Sequence, residues 1–329
     1  MLNKDARLNG KIFSKDIETA STRDGFGSGT VEAGKLDANV VVLCADLKES
    51  TRAEWFEKEF PDRFIEIGVA EQNLATVGAG LAAVGKVPFV ASYAAFSPGR
   101  NWEQIRTTIA LNEVKVIVCG MHAGVSVGPD GATHQMLEDI ALMRALPHMN
   151  VIVPADAEEA KKAIMAAAVA DGPSYIRFGR SAVPTFTTPE TPFALGKALP
   201  LWESGKPQVA MLTTGSMAYD ALVAARSLDA DGIGSVVVSF PSVKPLDEAA
   251  VLDAAKRAGH VVTVEEHQVA GGFGSAIAEF LSERYPVPVK RLGVQDAFGQ
   301  SGTPAELLAH YGLDSAAIAR TARGMVTRV

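Results

Sequence analysis

The chain has 329 residues, of which 47% are hydrophobic and 21% are charged, so it can bury a core the size of about two ordinary domains. Its formal net charge of -7 provides no basic field, which argues against nucleic acid or an anionic membrane surface as a partner. The N-terminal segment has no apolar core of the signal-peptide type, and no stretch approaches the ~20 apolar residues of a membrane span. We therefore expect a cytoplasmic protein. Both cysteines, Cys44 and Cys119, lie in apolar runs, which favours buried free thiols over a disulfide or a zinc site.

The first half of the chain alternates short apolar runs with helix-like segments. The β-branched runs predict strands at 39–43, 63–67, 87–91, 114–119, 150–153 and 174–178. Most of the intervals are rich in alanine and carry a helical pattern. Buried strands that alternate with helices predict a layered α/β domain with a parallel sheet.

This pattern stops between 184 and 207, where prolines, threonines and glycines cluster. We interpret that stretch as a connection between two domains. A second α/β series follows, with strands predicted at 208–214, 235–240, 260–265 and 287–292. The predicted organisation is a first domain at 1–190, a linker at 191–206 and a smaller second domain at 207–329.

Polar residues directly after the apolar runs are the first candidates for a functional site, because ligands gather at the carboxyl ends of parallel strands. The candidates that meet this test are Asp46 and Ser50 after VVVLCA, Glu71 after FIEIG, His122 after VIVCG and Arg180 after SYIRFG.

The segment IEIGVAEQNLATVGAGLAAVG, residues 65–85, carries the strongest local signal. A helix begins at about Glu71, and a carboxylate in a first turn is favoured by the helix dipole, so an ordinary helix acid is the simpler interpretation. The segment resembles the glutamate motif of thiamine diphosphate enzymes, whose carboxylate hydrogen-bonds the pyrimidine ring nitrogen. There the acid stabilises the imino form with which the cofactor deprotonates its own thiazolium carbon. The resemblance makes Glu71 the first catalytic candidate.

A second segment, residues 119–156, contains His122, Asp130 and His134 separated by glycines and a proline. Their spacing matches no helical metal pair, which argues against zinc and leaves a flexible loop with hydrogen-bonded histidines as one interpretation. The segment also resembles the donor-substrate loop of transketolases. The resemblance implies that these three residues contact the sugar hydroxyls and the reacting carbonyl. Because histidine can donate or accept a proton at neutral pH, His134 is the second catalytic candidate.

Arginines suit phosphate recognition because they donate two parallel hydrogen bonds. Any single arginine is by default a surface residue, but Arg180 and Arg23 both lie in contexts that resemble transketolase. The resemblance implies that Arg23, Arg180 and Ser50 hold the substrate phosphate and that Asp46 contributes to the cofactor site.

An aromatic wall is predicted in VPFVASYAAFSPGRNWEQIR, since an aminopyrimidine ring favours offset contact with aromatic faces. By resemblance, Tyr93 and Phe96 stack on the cofactor, although core packing is an equal alternative for Phe96 and for Phe89. The sequence departs from the family here, because relatives often have phenylalanine at Tyr93 and a further tyrosine at Gly99.

The GDG motif and downstream asparagine that bind the metal in thiamine diphosphate enzymes are missing from the chain. The resemblance begins at about residue 18 and covers only the second and third domains of a full transketolase. It therefore implies a split enzyme, in which a separate N-terminal subunit binds the diphosphate and Mg²⁺ or Ca²⁺. We expect a dimer core within a heterotetramer; an isolated domain fragment is the alternative. The segment 264–281 resembles a structural motif of the C-terminal domain, and Glu265, Glu266 and His267 are assigned no catalytic role.

The family resemblance implies two layered α/β domains: a parallel-sheet pyrimidine-binding domain, then a smaller mixed-sheet C-terminal domain. It implies reversible transfer of a two-carbon ketol unit from a ketose phosphate, such as xylulose 5-phosphate, to an aldose phosphate, such as ribose 5-phosphate, in the pentose phosphate pathway. The alternatives are a beta-type subunit of a 2-oxo-acid dehydrogenase, an enzyme like deoxyxylulose-phosphate synthase, and a non-enzymatic assembly or regulatory subunit.

Overall fold

The structure is a computed structural model and describes residues 1–327. Its strands are β1 (Thr19–Ser21), β2 (Val40–Cys44), β3 (Phe64–Glu66), β4 (Val87–Tyr93), β5 (Ile117–Met121), β6 (Asn150–Ile152), β7 (Ser174–Arg177), β8 (Ala182–Pro184), β9 (Leu199–Glu203), β10 (Val209–Thr213), β11 (Ser235–Ser239), β12 (Ser242–Lys244), β13 (Val261–Gln268) and β14 (Val289–Val294). Its α-helices are α1 (Thr22–Leu36), α2 (Lys48–Thr51), α3 (Ala53–Glu59), α4 (Glu71–Ala83), α5 (Trp102–Gln104), α6 (Asp139–Arg144), α7 (Ala157–Val169), α8 (Met217–Ala230), α9 (Glu248–Ala258), α10 (Phe273–Arg284), α11 (Pro304–His310) and α12 (Ser315–Val326).

A seven-stranded sheet organises the first half of the chain, with the strand order β12-β6-β7-β5-β4-β2-β3. All neighbours in it are parallel except β12, which pairs antiparallel with β6. Strands β2 and β5 are buried along their whole length, as expected for a sheet that is covered on both faces. On one face α1 approaches α7 so closely that a Cβ at Gly25 would lie 2.2 Å from the carbonyl oxygen of Ala157. The predicted parallel α/β domain is confirmed.

A five-stranded sheet organises the second half, with the order β14-β13-β10-β11-β9. Its neighbours are parallel except for β9, which runs antiparallel to β11, so the predicted mixed sheet is also confirmed. Strand β9 lies inside the segment that the sequence interpretation treats as a linker, 191–206. Leu201 and Trp202 of this strand are buried, so the segment contributes to the second core as well as connecting the domains.

Strand β12 differs from the two-domain expectation in another way. It follows β11 in the second half of the chain but extends the edge of the first sheet by pairing with β6. The two halves therefore share a hydrogen-bonded ladder as well as side-chain contacts. None of the helices within residues 1–327 has the length and apolar character needed to cross a membrane.

The topology brings the candidate residues to one edge of the first sheet. Strands β7, β5, β4 and β2 are consecutive neighbours and parallel, so their carboxyl ends lie side by side. Those ends are followed by Arg180, His122 and Asp46, while Tyr93 is the last residue of β4.

Candidate active site

Glu71 is the first residue of α4 and is buried, with only 2% of its side chain exposed. Its Oε2 atom accepts a hydrogen bond of 2.8 Å from Nη1 of Arg100. Its backbone oxygen accepts a second bond of 2.7 Å from Nδ2 of Asn101. A cavity of about 370 Å³ opens beside it and is lined by Glu71, Gln72, Asn73 and Arg100, among others. The structure therefore presents a buried carboxylate to a cleft of small-molecule size.

Four aromatic rings lie together next to Arg100, and we call Tyr93, Phe96, His122 and His134 the aromatic-histidine cluster. The ring centroids of Tyr93 and Phe96 are 6.0 Å apart with an interplanar angle of 26°, a stacked arrangement. The ring of His122 lies 4.0 Å from that of Tyr93. The ring of His134 is 5.9 Å from Tyr93 and 5.6 Å from Phe96. Phe96 therefore belongs to a polar and aromatic cluster, whereas Phe89 is buried within the apolar core of the first domain.

His122 is the more deeply buried of the two histidines, with 1% of the residue exposed. Burial, followed by the positive charges of Arg23 and Arg180, lowers the pKa of His122 to about 3. Its ring is therefore neutral near pH 7, and its Nδ1 atom has no hydrogen-bond partner among the described residues. The Nδ1 atom of His134 lies 2.9 Å from the Thr133 hydroxyl. A neutral imidazole with an unpartnered nitrogen can accept or donate one proton, depending on its tautomer.

Three arginines lie close to the cluster, each held by a protein acceptor. Nη1 of Arg23 donates to the backbone oxygen of Ser50 at 2.7 Å, and Nη1 of Arg180 donates to the backbone oxygen of Val127 at 2.9 Å. Nε of Arg52 donates to Oδ1 of Asp24 at 2.8 Å. Burial and then the charge of Arg52 lower the pKa of Arg23, and all three guanidinium charges act on His122. These anchors leave other N–H groups of the guanidinium forks for an anionic ligand.

Two candidate carboxylates stand apart from these contacts. Asp46 is exposed and has a φ of 57°, and its backbone N–H donates to Oε1 of Glu66 at 2.8 Å. Asp130 is exposed in the turn before Gly131, and within residues 1–327 its carboxylate makes no ion pair. Ser50 is half-buried, and it is the backbone oxygen that holds Arg23. The assignment of Asp46, Ser50 and Asp130 to cofactor and substrate contacts stays a prediction.

Arg52 and Arg100 were not among the residues predicted from the sequence. Arg52 follows the ADLKES segment by two positions, and its left-handed backbone, with a φ of 72°, lies between α2 and α3. Arg100 lies 29 residues from Glu71 along the chain, so no local spacing relates the two. The available signals were positional: Arg52 lies two positions after ADLKES, and Arg100 lies within VPFVASYAAFSPGRNWEQIR, the segment in which the aromatic wall is predicted.

Residues of the second domain hold the loop that carries His122. Oε1 of Glu266 accepts a bond of 2.5 Å from the backbone N–H of Ser126. Nε2 of Gln135 donates to the backbone oxygens of Val125 at 3.0 Å and of Gln300 at 2.9 Å. Burial raises the pKa of Glu266. Glu265 instead accepts the backbone N–H groups of Phe273 and Gly274 at the start of α10, which is a structural role.

Two family models match the chain. Residues 18–185 match the transketolase pyrimidine binding domain, and residues 196–318 match the transketolase C-terminal domain. The chain belongs to the transketolase family. This confirms the resemblance found in the sequence and makes the protein a transketolase-family transferase.

The extent of the match corresponds to the C-terminal section of a transketolase. The chain is 42% identical over 301 residues to a putative transketolase C-terminal section of Methanocaldococcus jannaschii, covering 91% of this chain and 94% of that one. It is 39% identical over 316 residues to a 6-deoxy-6-sulfo-D-fructose transketolase subunit of a Clostridium species, covering 96% and 98%. Against mouse transketolase the identity is 37%, and the match covers 94% of this chain but 49% of the mouse protein.

A solved structure gives the same correspondence in three dimensions. It is described as a split-gene transketolase in an inactive beta4 tetramer. The two chains are 45% identical and superpose with a TM-score of 0.87, covering 93% of this chain and 98% of that one. The transketolase fold of the chain, with its two α/β units, is thereby confirmed.

Proposed function

We propose that the chain is the C-terminal subunit of a split transketolase, which transfers a two-carbon ketol unit from a ketose phosphate to an aldose phosphate. The observation that carries this proposal is the grouping of Glu71, the aromatic-histidine cluster and three arginines around one edge of the first sheet. A 2-oxo-acid dehydrogenase has no sugar phosphate to bind, and the arginines would then lack a ligand. The near full-length match to a putative transketolase C-terminal section supports the split arrangement.

The residues fit the pyrimidine half of thiamine diphosphate. That ring needs a hydrogen-bonding acid and an aromatic surface, and Glu71 with the stacked rings of Tyr93 and Phe96 supplies both. When bound, thiamine diphosphate supplies the carbanion chemistry that cleaves the bond beside a ketose carbonyl. The chain lacks the GDG motif, so we assign the diphosphate and its Mg²⁺ or Ca²⁺ to a partner N-terminal subunit. The cofactor then lies between the two subunits.

The remaining residues serve the sugar. His122 has a neutral ring whose Nδ1 is unpartnered within residues 1–327, so it can exchange a hydrogen bond with a substrate hydroxyl. Nε2 of His134 is the nitrogen that remains for substrate, because Nδ1 is engaged by Thr133. Arg23 and Arg180 bind the terminal anion, with Arg52 as a third cation beside them. Rigid anchoring of these groups lowers the entropic cost of orienting the sugar.

The favoured substrates are xylulose 5-phosphate as donor and ribose 5-phosphate as acceptor, which would place the reaction in the pentose phosphate pathway. A sulfonated ketose is the second candidate, because the Clostridium relative is named for 6-deoxy-6-sulfo-D-fructose. Guanidinium groups bind a sulfonate as well as a phosphate, so the three arginines suit both terminal anions.

The test combines the chain with its partner subunit, thiamine diphosphate and Mg²⁺, and measures conversion of xylulose 5-phosphate and ribose 5-phosphate to heptulose and triose phosphates. A parallel assay replaces the donor by the sulfonated ketose. Turnover of pyruvate instead of sugars would contradict the proposal, and a stable complex without turnover of any of these would favour an assembly subunit.

Variants assign the roles within this assay. We expect Glu71→Ala to nearly abolish turnover, because Glu71 is the one acid among the described residues that line the cleft. Arg180→Ala should raise KM for the sugar phosphate roughly 10- to 100-fold with a smaller change in kcat, since it removes a charge-assisted anion contact. Arg284→Ala, at the exposed end of α10, is the matched control and should change neither constant. A normal rate in the Glu71 variant would rule out its assigned role.

A further inference from the structure

Arg100 and Glu71 form an ion pair of unequal exposure. Nη1 of Arg100 lies 2.8 Å from Oε2 of Glu71, and 51% of the arginine side chain is exposed against 2% of the glutamate side chain. A carboxylate buried to this degree requires a donor, because leaving it unpaired costs free energy. In the described part of the chain, Arg100 is the cation that meets this requirement.

The same guanidinium group also lies on the aromatic-histidine cluster. Its central carbon is 4.9 Å from the centroid of the Phe96 ring, within the range of a cation–π contact. Arg100 therefore hydrogen-bonds Glu71 and covers an aromatic face. These are the two contacts that the proposed function assigns to the pyrimidine ring of the cofactor. A guanidinium group is planar and delocalised and carries N–H donors at its edge, so its face can cover the Phe96 ring while its edge donates to the Glu71 carboxylate.

We propose that Arg100 is a positioning residue that occupies the place of the cofactor pyrimidine until the cofactor binds. It holds the Glu71 carboxylate towards the cleft and keeps the face of Phe96 covered, and it swings into solvent when the ring enters. This inference rests on the proposed function, because it requires that Glu71 and Phe96 bind the pyrimidine.

The surroundings of Arg100 allow this movement. Its backbone N–H bonds to the carbonyl oxygen of Phe96 at 3.0 Å, so the main chain is fixed in a turn while the side chain extends along the cleft. Within residues 1–327 its guanidinium has Glu71 as its one salt-bridge partner. The residue before it is Gly99, which is exposed and presents no side chain that would block the path to solvent.

An Arg100 side chain that occupies the pyrimidine position lowers the apparent affinity for thiamine diphosphate, because only the fraction of molecules with Arg100 displaced can bind the cofactor. Replacing Arg100 by leucine removes the competing contacts and should tighten thiamine diphosphate binding roughly three- to tenfold. Arg100→Lys keeps the charge but loses the planar fork, so we expect an affinity between those of the wild type and the leucine variant.

The experiment measures the dissociation constant of thiamine diphosphate by calorimetry on the complex of the full chain with its partner subunit, in the presence of Mg²⁺. Arg106→Leu is the matched control, because Arg106 is an exposed arginine of the same segment. Thermal unfolding supplies a second readout that does not depend on turnover. Arg100→Leu should lower the unfolding midpoint without cofactor, where Glu71 loses its partner, and leave it unchanged at saturating cofactor, where the pyrimidine replaces the guanidinium.

The outcomes separate this inference from the proposed function. If the wild-type complex binds no thiamine diphosphate, both are refuted. If the wild type binds normally while Arg100→Leu binds with equal or weaker affinity, only the role of Arg100 is refuted. An equal loss of thermal stability with and without cofactor would likewise show that Arg100 is an ordinary structural ion-pair partner. Tighter binding by the leucine variant, with Arg106→Leu unchanged, supports the inference.

Discussion

Replacing Asp139 by asparagine tests the contribution of a buried ion pair that lies beneath the candidate site. Oδ2 of Asp139 accepts bonds from Nε of Arg177 at 2.8 Å and from the hydroxyl of Tyr175 at 2.6 Å. Arg177 also donates through Nη2 to the backbone oxygens of Met136 at 3.3 Å and Glu266 at 2.7 Å. The guanidinium therefore joins β7, the segment before α6, and β13 of the second sheet. Asparagine would keep the shape of the side chain but remove the carboxylate that forms the direct ion pair with the buried Arg177.

The magnitude follows from that burial, since the side chains are 7% and 0% exposed. Removing one partner of a buried pair costs about 3–5 kcal/mol, a large part of the ~5–15 kcal/mol that stabilises a typical protein. Tyr175→Phe is the matched control: it removes a hydroxyl from the same carboxylate and should cost only about 1–2 kcal/mol. Urea unfolding followed by circular dichroism measures both. A loss of less than ~1 kcal/mol in Asp139→Asn, or an equal loss in Tyr175→Phe, would refute the reasoning.

Two further predictions concern a buried acid and a glycine with positive φ. Burial and then the negative charge of Asp156 raise the pKa of Glu159 from 4.5 to about 8. Between pH 4.5 and pH 8 the folded state therefore holds a proton on Glu159 that the unfolded state has lost. The stability that this group contributes is present below pH 4.5 and is lost as pH rises through 8, so the free energy of unfolding falls with pH over this range. Glu159→Gln should remove this contribution to the pH dependence, measured by urea unfolding at pH values across the range. An unchanged pH dependence would contradict the assignment. Gly124 has a φ of 90°, and a Cβ there would lie 2.4 Å from Oε1 of Glu266. Gly124→Ala should therefore cost about 1–3 kcal/mol and raise KM for the sugar phosphate, whereas Gly80→Ala, with open space around it, should do neither; equal behaviour of the two variants would contradict the role of the close contact.

Much of the fold is local enough to be predicted. The strands β2, β4 and β5 are buried and mostly apolar runs, so each is recognisable from its own residues. Strand β9 was missed because its five residues, Leu199–Glu203, lie in the stretch rich in proline, threonine and glycine that the sequence pattern marks as a connection. Strand β12 has only three residues, and its pairing with β6 depends on contacts about 90 residues apart, which no local pattern encodes. The domain boundaries stay a prediction, since β12 contributes to the sheet of the other half.

The candidate site divides in the same way. Glu71, His122 and Arg180 follow strands that the sequence reveals, and the rule that ligands bind at the carboxyl ends of parallel strands was enough to select them as candidates. The strand-end rule could not identify Arg100 and Glu266, because each contacts a residue that is distant in the sequence. Arg100 is 29 positions from Glu71, and Glu266 is 140 positions from Ser126. Catalytic and binding roles for all these residues stay predictions until the variants are measured.

Long-range hydrogen bonds connect the second domain to the loop that carries His122. The loop that carries His122 has little regular secondary structure, and its glycines at 124, 128 and 131 have positive φ. Without further contacts these glycines would allow the main chain to move. Glu266 and Gln300 accept hydrogen bonds from opposite ends of this loop, at Ser126 and Gln135. A ligand-binding loop must be held to within about 0.5 Å of its productive geometry, and hydrogen bonds to the Glu266 side chain on β13 and to the backbone oxygen of Gln300 after β14 provide such a restraint. Under the proposed function, the C-terminal domain thus acts by positioning the loop, while the candidate reacting groups Glu71, His122 and His134 belong to the first domain.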